Sequence, residues 1–165
     1  MRAGYIVVAG AVAALQAAQP VFAASCSGWS AKMEEDEGGK VLTASVCGGP
    51  KGDAHLMLAC FDTPVLSYDL GSSGQQTEPG VSGAFDFKAD GKTVTKTLQL
   101  EEMYGYFTVD LAKADPLLDL LRSKGDVSVS SAKYGAISFP LKGSSGAIGK
   151  VLVQCGKAKP AGDAD

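Results

Sequence analysis

Few side chains of this 165-residue chain are suited to catalysis or metal binding. Its one histidine, His55, stands two residues after Asp53, so the two side chains would share a face on a strand. Such a pair suits acid–base chemistry, but no nucleophile motif of the Gly-x-Ser-x-Gly type accompanies it. We therefore interpret His55 as a solvated residue at the start of a strand and predict that the chain is not an enzyme.

The densest run of charge is residues 34–37, Glu-Glu-Asp-Glu, which two glycines follow. Carboxylates are the ligands that Ca²⁺ takes, but an EF-hand loop spaces them alternately, whereas these are consecutive. At the tip of a β-hairpin the same run would keep strand edges from pairing with other chains. We favour the hairpin tip and predict neither a metal site nor a cofactor.

Two short segments carry aromatic side chains suited to contact with a partner. Tyr104 and Tyr106 would share one face of a strand, with ordinary packing of that face as the alternative. Residues 130–134, Ser-Ser-Ala-Lys-Tyr, resemble the loop by which some periplasmic lysozyme inhibitors enter an enzyme cleft. The candidate partner-binding residues are Tyr104, Tyr106, Lys133 and Tyr134.

The first 23 residues are predicted to be a secretory signal peptide. Arg2 is the only charged residue among them, and residues 5–18 are almost all apolar. A run of about 14 residues is shorter than the roughly 20 that span a bilayer. The small residue Ala23 fits a cleavage site, which predicts a periplasmic or secreted product. The alternatives are an uncleaved anchor and a lipoprotein that is lipidated on Cys26.

Export would make the four cysteines disulfide partners, because disulfides persist in oxidising compartments. Their spacing is unlike that of zinc sites and by itself leaves three pairings open. Cys26 and Cys47 flank a predicted hairpin whose turn is the 34–39 stretch. Cys60 lies on the apolar face of a predicted strand, and Cys155 on the apolar face of a final helix that must pack on the sheet. We therefore predict the pairs Cys26–Cys47 and Cys60–Cys155.

After the signal peptide, the apolar pattern predicts short strands separated by turns that contain Gly and Asp. The predicted strands are 41–46, 55–61, 65–70, 81–87, 93–100, 105–109, 126–130 and 136–141. Residues 71–80 are predicted to be a loop, and Asp90-Gly91 favours a tight hairpin turn.

Two short helices are predicted at 116–124 and 145–155. The first would begin with Asp115 as its cap and Pro116 in its first turn. The whole pattern predicts a mainly β fold, a single antiparallel β-sandwich or barrel-like domain over residues 24–156. Residues 157–165 are predicted to form a disordered tail.

The charge balance argues against a nucleic-acid partner. Fifteen Lys and Arg residues stand against eighteen Asp and Glu, a net charge of −3, and no basic cluster interrupts the sequence. Nucleic-acid binding needs a positive face, which this composition does not offer. No segment after the signal peptide is apolar enough to predict a transmembrane span.

The C-terminal half carries an ordered set of short motifs. They are Asp115-Pro116-Leu117-Leu118-Asp119-Leu120-Leu121, Gly125, Val127-Ser128-Val129, Phe139-Pro140-Leu141-Lys142-Gly143-Ser144 and Ala147-Ile148. Together they resemble the closing part of the invasion-associated locus B family, over roughly residues 80–155. The resemblance implies a small exported β-sandwich protein of α-proteobacteria, and it supplies no catalytic residues.

The N-terminal half is also similar to small periplasmic proteins associated with type VI secretion. The similarity lies in Trp29 and in the Leu56-x-Leu58-x-Cys60 pattern. Those proteins too end in an apolar helix with a final cysteine.

Taken together, the sequence predicts an exported, non-enzymatic protein that binds a protein partner or a component of the cell envelope. The alternative is an inhibitor of an envelope hydrolase such as lysozyme.

Overall fold

The computed structural model describes residues 26–36, 39–71, 81–101 and 105–155. The predicted signal peptide, the predicted tail, Tyr104 and nearly all of the predicted 71–80 loop lie outside the described residues.

The described residues form nine strands and two helices. The strands are β1 (Ser30–Asp36), β2 (Gly39–Gly48), β3 (Ala54–Cys60), β4 (Pro64–Asp69), β5 (Ser82–Ala89), β6 (Lys92–Glu101), β7 (Tyr106–Asp110), β8 (Asp126–Ser131) and β9 (Gly135–Pro140). The helices are α1 (Pro116–Leu121) and α2 (Ser144–Gln154).

All nine strands belong to one antiparallel sheet in the order β1-β2-β3-β4-β7-β6-β5-β8-β9. The sheet wraps around one core so that β9 approaches β2, where the Gly49 N–H donates to the Ser138 carbonyl over 3.3 Å. The two strands form no ladder, so the sheet does not close into a barrel. The predicted mainly β antiparallel fold with two short helices is confirmed, and its wrapped sheet is sandwich-like.

Side chains alternate between the core and the outside along the strands, as the period of two requires. In β3, Leu56 and Leu58 are buried whereas His55 and Met57 are partly exposed. The core is one continuous apolar cluster that includes Tyr68, whose ring meets its aromatic neighbours edge to face. Burial, together with the nearby charge of Asp69, raises the pKa of Tyr68 far above its usual range. Its hydroxyl therefore stays neutral at any ordinary pH.

The β5–β6 hairpin has the tight turn that the sequence predicts. Asp90 and Gly91 both have a positive φ, +48° and +69°. A two-residue turn with both central residues left-handed follows the right-handed twist of the flanking strands. Glycine adopts that geometry without strain, and aspartate tolerates it better than most residues.

Helix α1 begins where the sequence predicts but ends earlier. The Leu117 N–H donates to Asp115 Oδ1 over 2.9 Å, which caps the first turn. After Leu121 the chain makes tighter i→i−3 hydrogen bonds, from Arg122 N–H to the Asp119 carbonyl and from Ser123 N–H to the Leu120 carbonyl. The predicted span 116–124 is therefore too long, because this tighter turn replaces the last helical residues.

Helix α2 covers β1, β2 and β3 with its buried face, which carries Ala147, Ile148 and Val151. Its span, Ser144–Gln154, lies one residue before the predicted 145–155. The same apolar face directs Cys155 toward the sheet, as the helical spacing predicts.

Both predicted disulfides are present. Cys26 is bonded to Cys47 and Cys60 to Cys155, with Cα–Cα distances of 5.1 Å and 5.3 Å. The first bond fastens the segment before β1 to β2, and the second fastens the end of α2 to the end of β3. Disulfides persist in oxidising compartments, which places the folded chain outside the reducing cytosol.

Asp115 joins α1 to the sheet, and its removal is expected to destabilise the fold. Besides capping α1, it accepts a hydrogen bond from Lys96 Nζ through Oδ2 over 2.6 Å, with both side chains mostly buried. We expect Asp115→Ala to lower the free energy of unfolding by about 3 kcal/mol, since it removes a cap and leaves Lys96 unpaired. Asp115→Asn keeps an oxygen for the cap and should cost about half as much.

Urea denaturation would measure both changes. The matched control is Asp119→Ala in the same helix, because Asp119 is exposed and should contribute less than about 1 kcal/mol. Equal losses in Asp115→Ala and Asp119→Ala would contradict the expectation.

Candidate binding groove

A cavity of about 920 Å³ lies on the face of the sheet that is turned away from the core. Six neighbouring strands, β1, β2, β3, β4, β7 and β6, supply its lining. Its volume lies within the range of about 300–1,000 Å³ typical of ligand sites. We call this cavity the groove.

Strand register brings the lining side chains together in rows that cross the sheet. One row runs from Thr43 through Ala59 and Val65 to Asp110. A second row runs from Met57 through Ser67 and Thr108 to Gln99. Because alternate residues of a strand point to the same face, β2, β3, β4 and β6 add side chains that are two positions apart. Near their ends, β1 adds the adjacent residues Glu34 and Glu35, and β7 adds the consecutive residues 108–110 besides Tyr106.

The middle of the groove is largely apolar and lined by short side chains, some of which carry a hydroxyl group. Ala59 and Ser67 lie on the central strands, with Val65 beside them. Met57 and Phe61 supply the larger apolar groups, and Phe61 is 53% exposed although it is aromatic. Short side chains on the central strands leave space above the sheet, which gives a ligand an apolar floor.

Carboxylates lie at the two ends of the groove. Glu34 lies on β1, whereas Glu101 and Asp110 lie on β6 and β7. Glu101 accepts a hydrogen bond from the hydroxyl of Thr108, and Asp110 accepts one from the hydroxyl of Thr63, each over 3.3 Å. These two carboxylates are thus oriented by neutral donors.

The structure brings one predicted partner-binding residue to the groove. Tyr106 lines it opposite Glu101 on β6, whereas Phe107 points into the core, as alternation on β7 predicts. Tyr104 lies outside the described residues, so its predicted role stays a prediction.

Lys133 and Tyr134 lie in the turn between β8 and β9, away from the groove lining. The Tyr134 ring packs inward, parallel to Phe85 at 6.0 Å and tilted against Phe107 at 5.3 Å. Lys133 is exposed and places its Nζ 5.3 Å from the centre of the Tyr134 ring. Lys133 is therefore the more exposed residue of the pair, whereas Tyr134 is partly buried.

The other residues that the sequence singled out for chemistry lie at the surface. His55 Nδ1 is 3.8 Å from Oδ2 of Asp69, its cross-strand neighbour, and both side chains are partly exposed. Glu34 and Glu35 are exposed near the end of β1, where it pairs with the start of β2, whereas Glu37 of the predicted hairpin tip lies outside the described residues. Within the described ranges, no group of three His, Cys, Asp or Glu side chains could hold a metal ion.

Sequence reasoning missed most of the groove lining. Met57, Ser67, Thr108 and Gln99 carry no motif, and they meet only because β4 pairs with β7 and β7 with β6. The available signal was the alternation itself, which marks the outward residues of each strand but leaves the order of the strands open.

Comparison with protein-family models, with curated proteins and with solved structures yields no match to this chain. Neither α1 nor α2, the helices of the described residues, has the length and apolar character needed to cross a membrane.

Proposed function

We propose that this chain is a periplasmic or secreted protein of the invasion-associated locus B type that binds a protein partner or an envelope component through the groove, without catalysing a reaction. The observation that supports this proposal is the groove, which has a largely apolar floor and polar groups at its ends. The exposed Phe61 forms one apolar patch with Met57 and Val65, and a contiguous apolar patch is the kind of surface that a partner covers.

Two further features support the exported location. The disulfides require an oxidising compartment for their formation. The apolar run at residues 5–18, followed by a small residue at position 23, is typical of a signal peptide. The family assignment rests on the motifs between roughly residues 115 and 148.

Photocrosslinking in the cells that produce the protein tests the groove as the binding surface. p-Benzoylphenylalanine would replace Phe61, which is aromatic, exposed and part of the lining. The matched site is Ser138, which is exposed on β9 and outside the lining. We expect a discrete adduct from position 61 and none from position 138.

A second pair of variants shows whether the adduct depends on the groove. Met57→Arg would place a long cation on the apolar floor, whereas Met33→Arg makes the same change at an exposed residue outside the lining. We expect the adduct to disappear in the first variant and to persist in the second. Identical adducts from positions 61 and 138, or no adduct from position 61, would overturn the proposal.

The alternative function, inhibition of an envelope hydrolase such as lysozyme, would use the β8–β9 turn. Lys133 is exposed at that turn, whereas the Tyr134 ring is packed inward. A lysozyme-inhibition assay separates the two functions. Inhibition that is lost in Lys133→Ala and kept in Met57→Arg would favour the inhibitor.

A further inference from the structure

All the charged side chains that line the groove are acidic. Its lining includes the carboxylates of Glu34, Glu35, Glu101 and Asp110 and contains neither lysine nor arginine. Glu35 lies directly opposite Lys40 across the β1–β2 ladder, so a cation is already next to it. Glu34, Glu101 and Asp110 have no cation directly opposite them in the ladder.

These three carboxylates have no cationic partner in the described part of the chain. The ion pairs of His55 with Asp69 and of Lys96 with Asp115 involve none of the three. Lys32 shares a face of β1 with Glu34 and lies opposite Thr43 of the lining, but no ion pair joins it to Glu34. A positively charged ligand would therefore give these carboxylates the ion-pair partner that they lack.

The positions of the carboxylates define the shape of the ligand. Glu34 lies on the first strand of the groove, and Asp110 and Glu101 lie on the fifth and sixth. Neighbouring strands are about 4.8 Å apart, so six strands span about 24 Å along the sheet. Between the charged ends lie the apolar side chains of Val41, Ala59 and Val65, together with the hydroxyls of Thr43 and Ser67.

We infer that the groove binds an extended polypeptide segment that carries Lys or Arg near each end and apolar side chains between them. About seven extended residues cover 24 Å, at roughly 3.4 Å per residue. The inference rests on the proposed binding function and adds the class of partner. A compact small molecule would reach one charged end only, whereas an extended chain reaches both.

Fluorescence anisotropy with the disulfide-intact protein tests this inference. Three labelled nine-residue peptides serve as probes. The first has two Lys at each end around a Val/Leu centre, the second has Glu in place of every Lys, and the third has the Lys residues in the centre and the apolar residues at the ends. We expect the first peptide to bind at least tenfold more tightly than either of the others. Its affinity should fall severalfold between 50 and 300 mM NaCl, because salt screens exposed charges.

Neutralising single carboxylates locates the contacts. Glu34→Gln and Asp110→Asn should each weaken binding of the first peptide about two- to fivefold, the usual worth of an exposed ion pair. Asp126→Asn is the matched control, because Asp126 is exposed on β8 and outside the groove lining. This variant should bind as the parent protein does. Thermal unfolding of each variant verifies that the fold is intact.

Each contrary outcome removes a different part of the inference. Equal affinity for the Lys-ended and Glu-ended peptides would refute the charge preference, and equal affinity for the third peptide would refute the arrangement. Tight binding of spermine together with no binding of the first peptide would assign the groove to a polyamine. If no peptide binds while crosslinking from position 61 still depends on Met57, the peptide class is wrong and the binding function stands.

Discussion

Replacing both Cys60 and Cys155 by alanine is expected to lower the free energy of unfolding by about 5 kcal/mol. This disulfide closes a loop with a sequence separation of 95, whereas the Cys26–Cys47 bond closes one of 21. In the chain-entropy model the longer loop restricts the unfolded chain more, and the shorter one should contribute about 3 kcal/mol. Alanine suits the test because Cys155 is 7% exposed, and a serine hydroxyl there would need a hydrogen-bond partner.

Differential scanning calorimetry of the two double variants measures the difference. We expect the melting temperature to fall by about 15 °C without the Cys60–Cys155 bond and by about 10 °C without the Cys26–Cys47 bond. Replacing both partners at once avoids a free thiol that could exchange with the remaining disulfide. A larger loss from the Cys26–Cys47 variant would show that native packing, and not loop length, decides the contribution.

Gly48→Ala is expected to destabilise the fold by about 3 kcal/mol. Gly48 lies on β2 where β9 approaches, and a Cβ there would lie 2.5 Å from the Ser138 carbonyl oxygen and within overlap distance of the Phe139 ring. Because the clash involves backbone and a fully buried ring, neither neighbour can move freely. Strands β2 and β9 would have to separate.

A Gly-to-Ala substitution elsewhere in the chain should stabilise the fold instead of destabilising it. Gly149 lies within α2, and a Cβ there would meet nothing within 4 Å. Gly149→Ala should therefore stabilise the fold by about 0.5–1 kcal/mol through helix propensity. Urea denaturation of both variants provides the comparison. A loss below 1 kcal/mol in Gly48→Ala would mean that β9 adjusts readily to β2.

Local features of the sequence are sufficient to predict individual turns and one of the disulfides. The Asp90-Gly91 pair predicted the turn that joins β5 and β6, because few residue pairs adopt two successive positive φ values. The apolar faces of β3 and α2 predicted the Cys60–Cys155 bond, since burying both faces requires them to meet. These features depend on residues whose conformational preferences are strong or whose burial is unavoidable.

The groove was not predictable in the same way. Val65 and Asp110 are cross-strand neighbours only because β7 lies beside β4. No turn residue or periodicity encodes that pairing, since the two strands are far apart in the chain. Of the groove residues, the sequence predicts only Tyr106 as a partner contact, because its side chain is aromatic.

The arrangement of the disulfides also determines how the chain would carry mechanical load. The bonded loops, 26–47 and 60–155, follow one another without overlap. Tension applied between residues 26 and 155 would cross each sulfur bridge and stretch the backbone only from Cys47 to Cys60. That segment spans 60 − 47 = 13 residues and contains β3, so it could lengthen to about 45 Å at most. The strands that line the rest of the groove would bear no tension until a bridge is reduced.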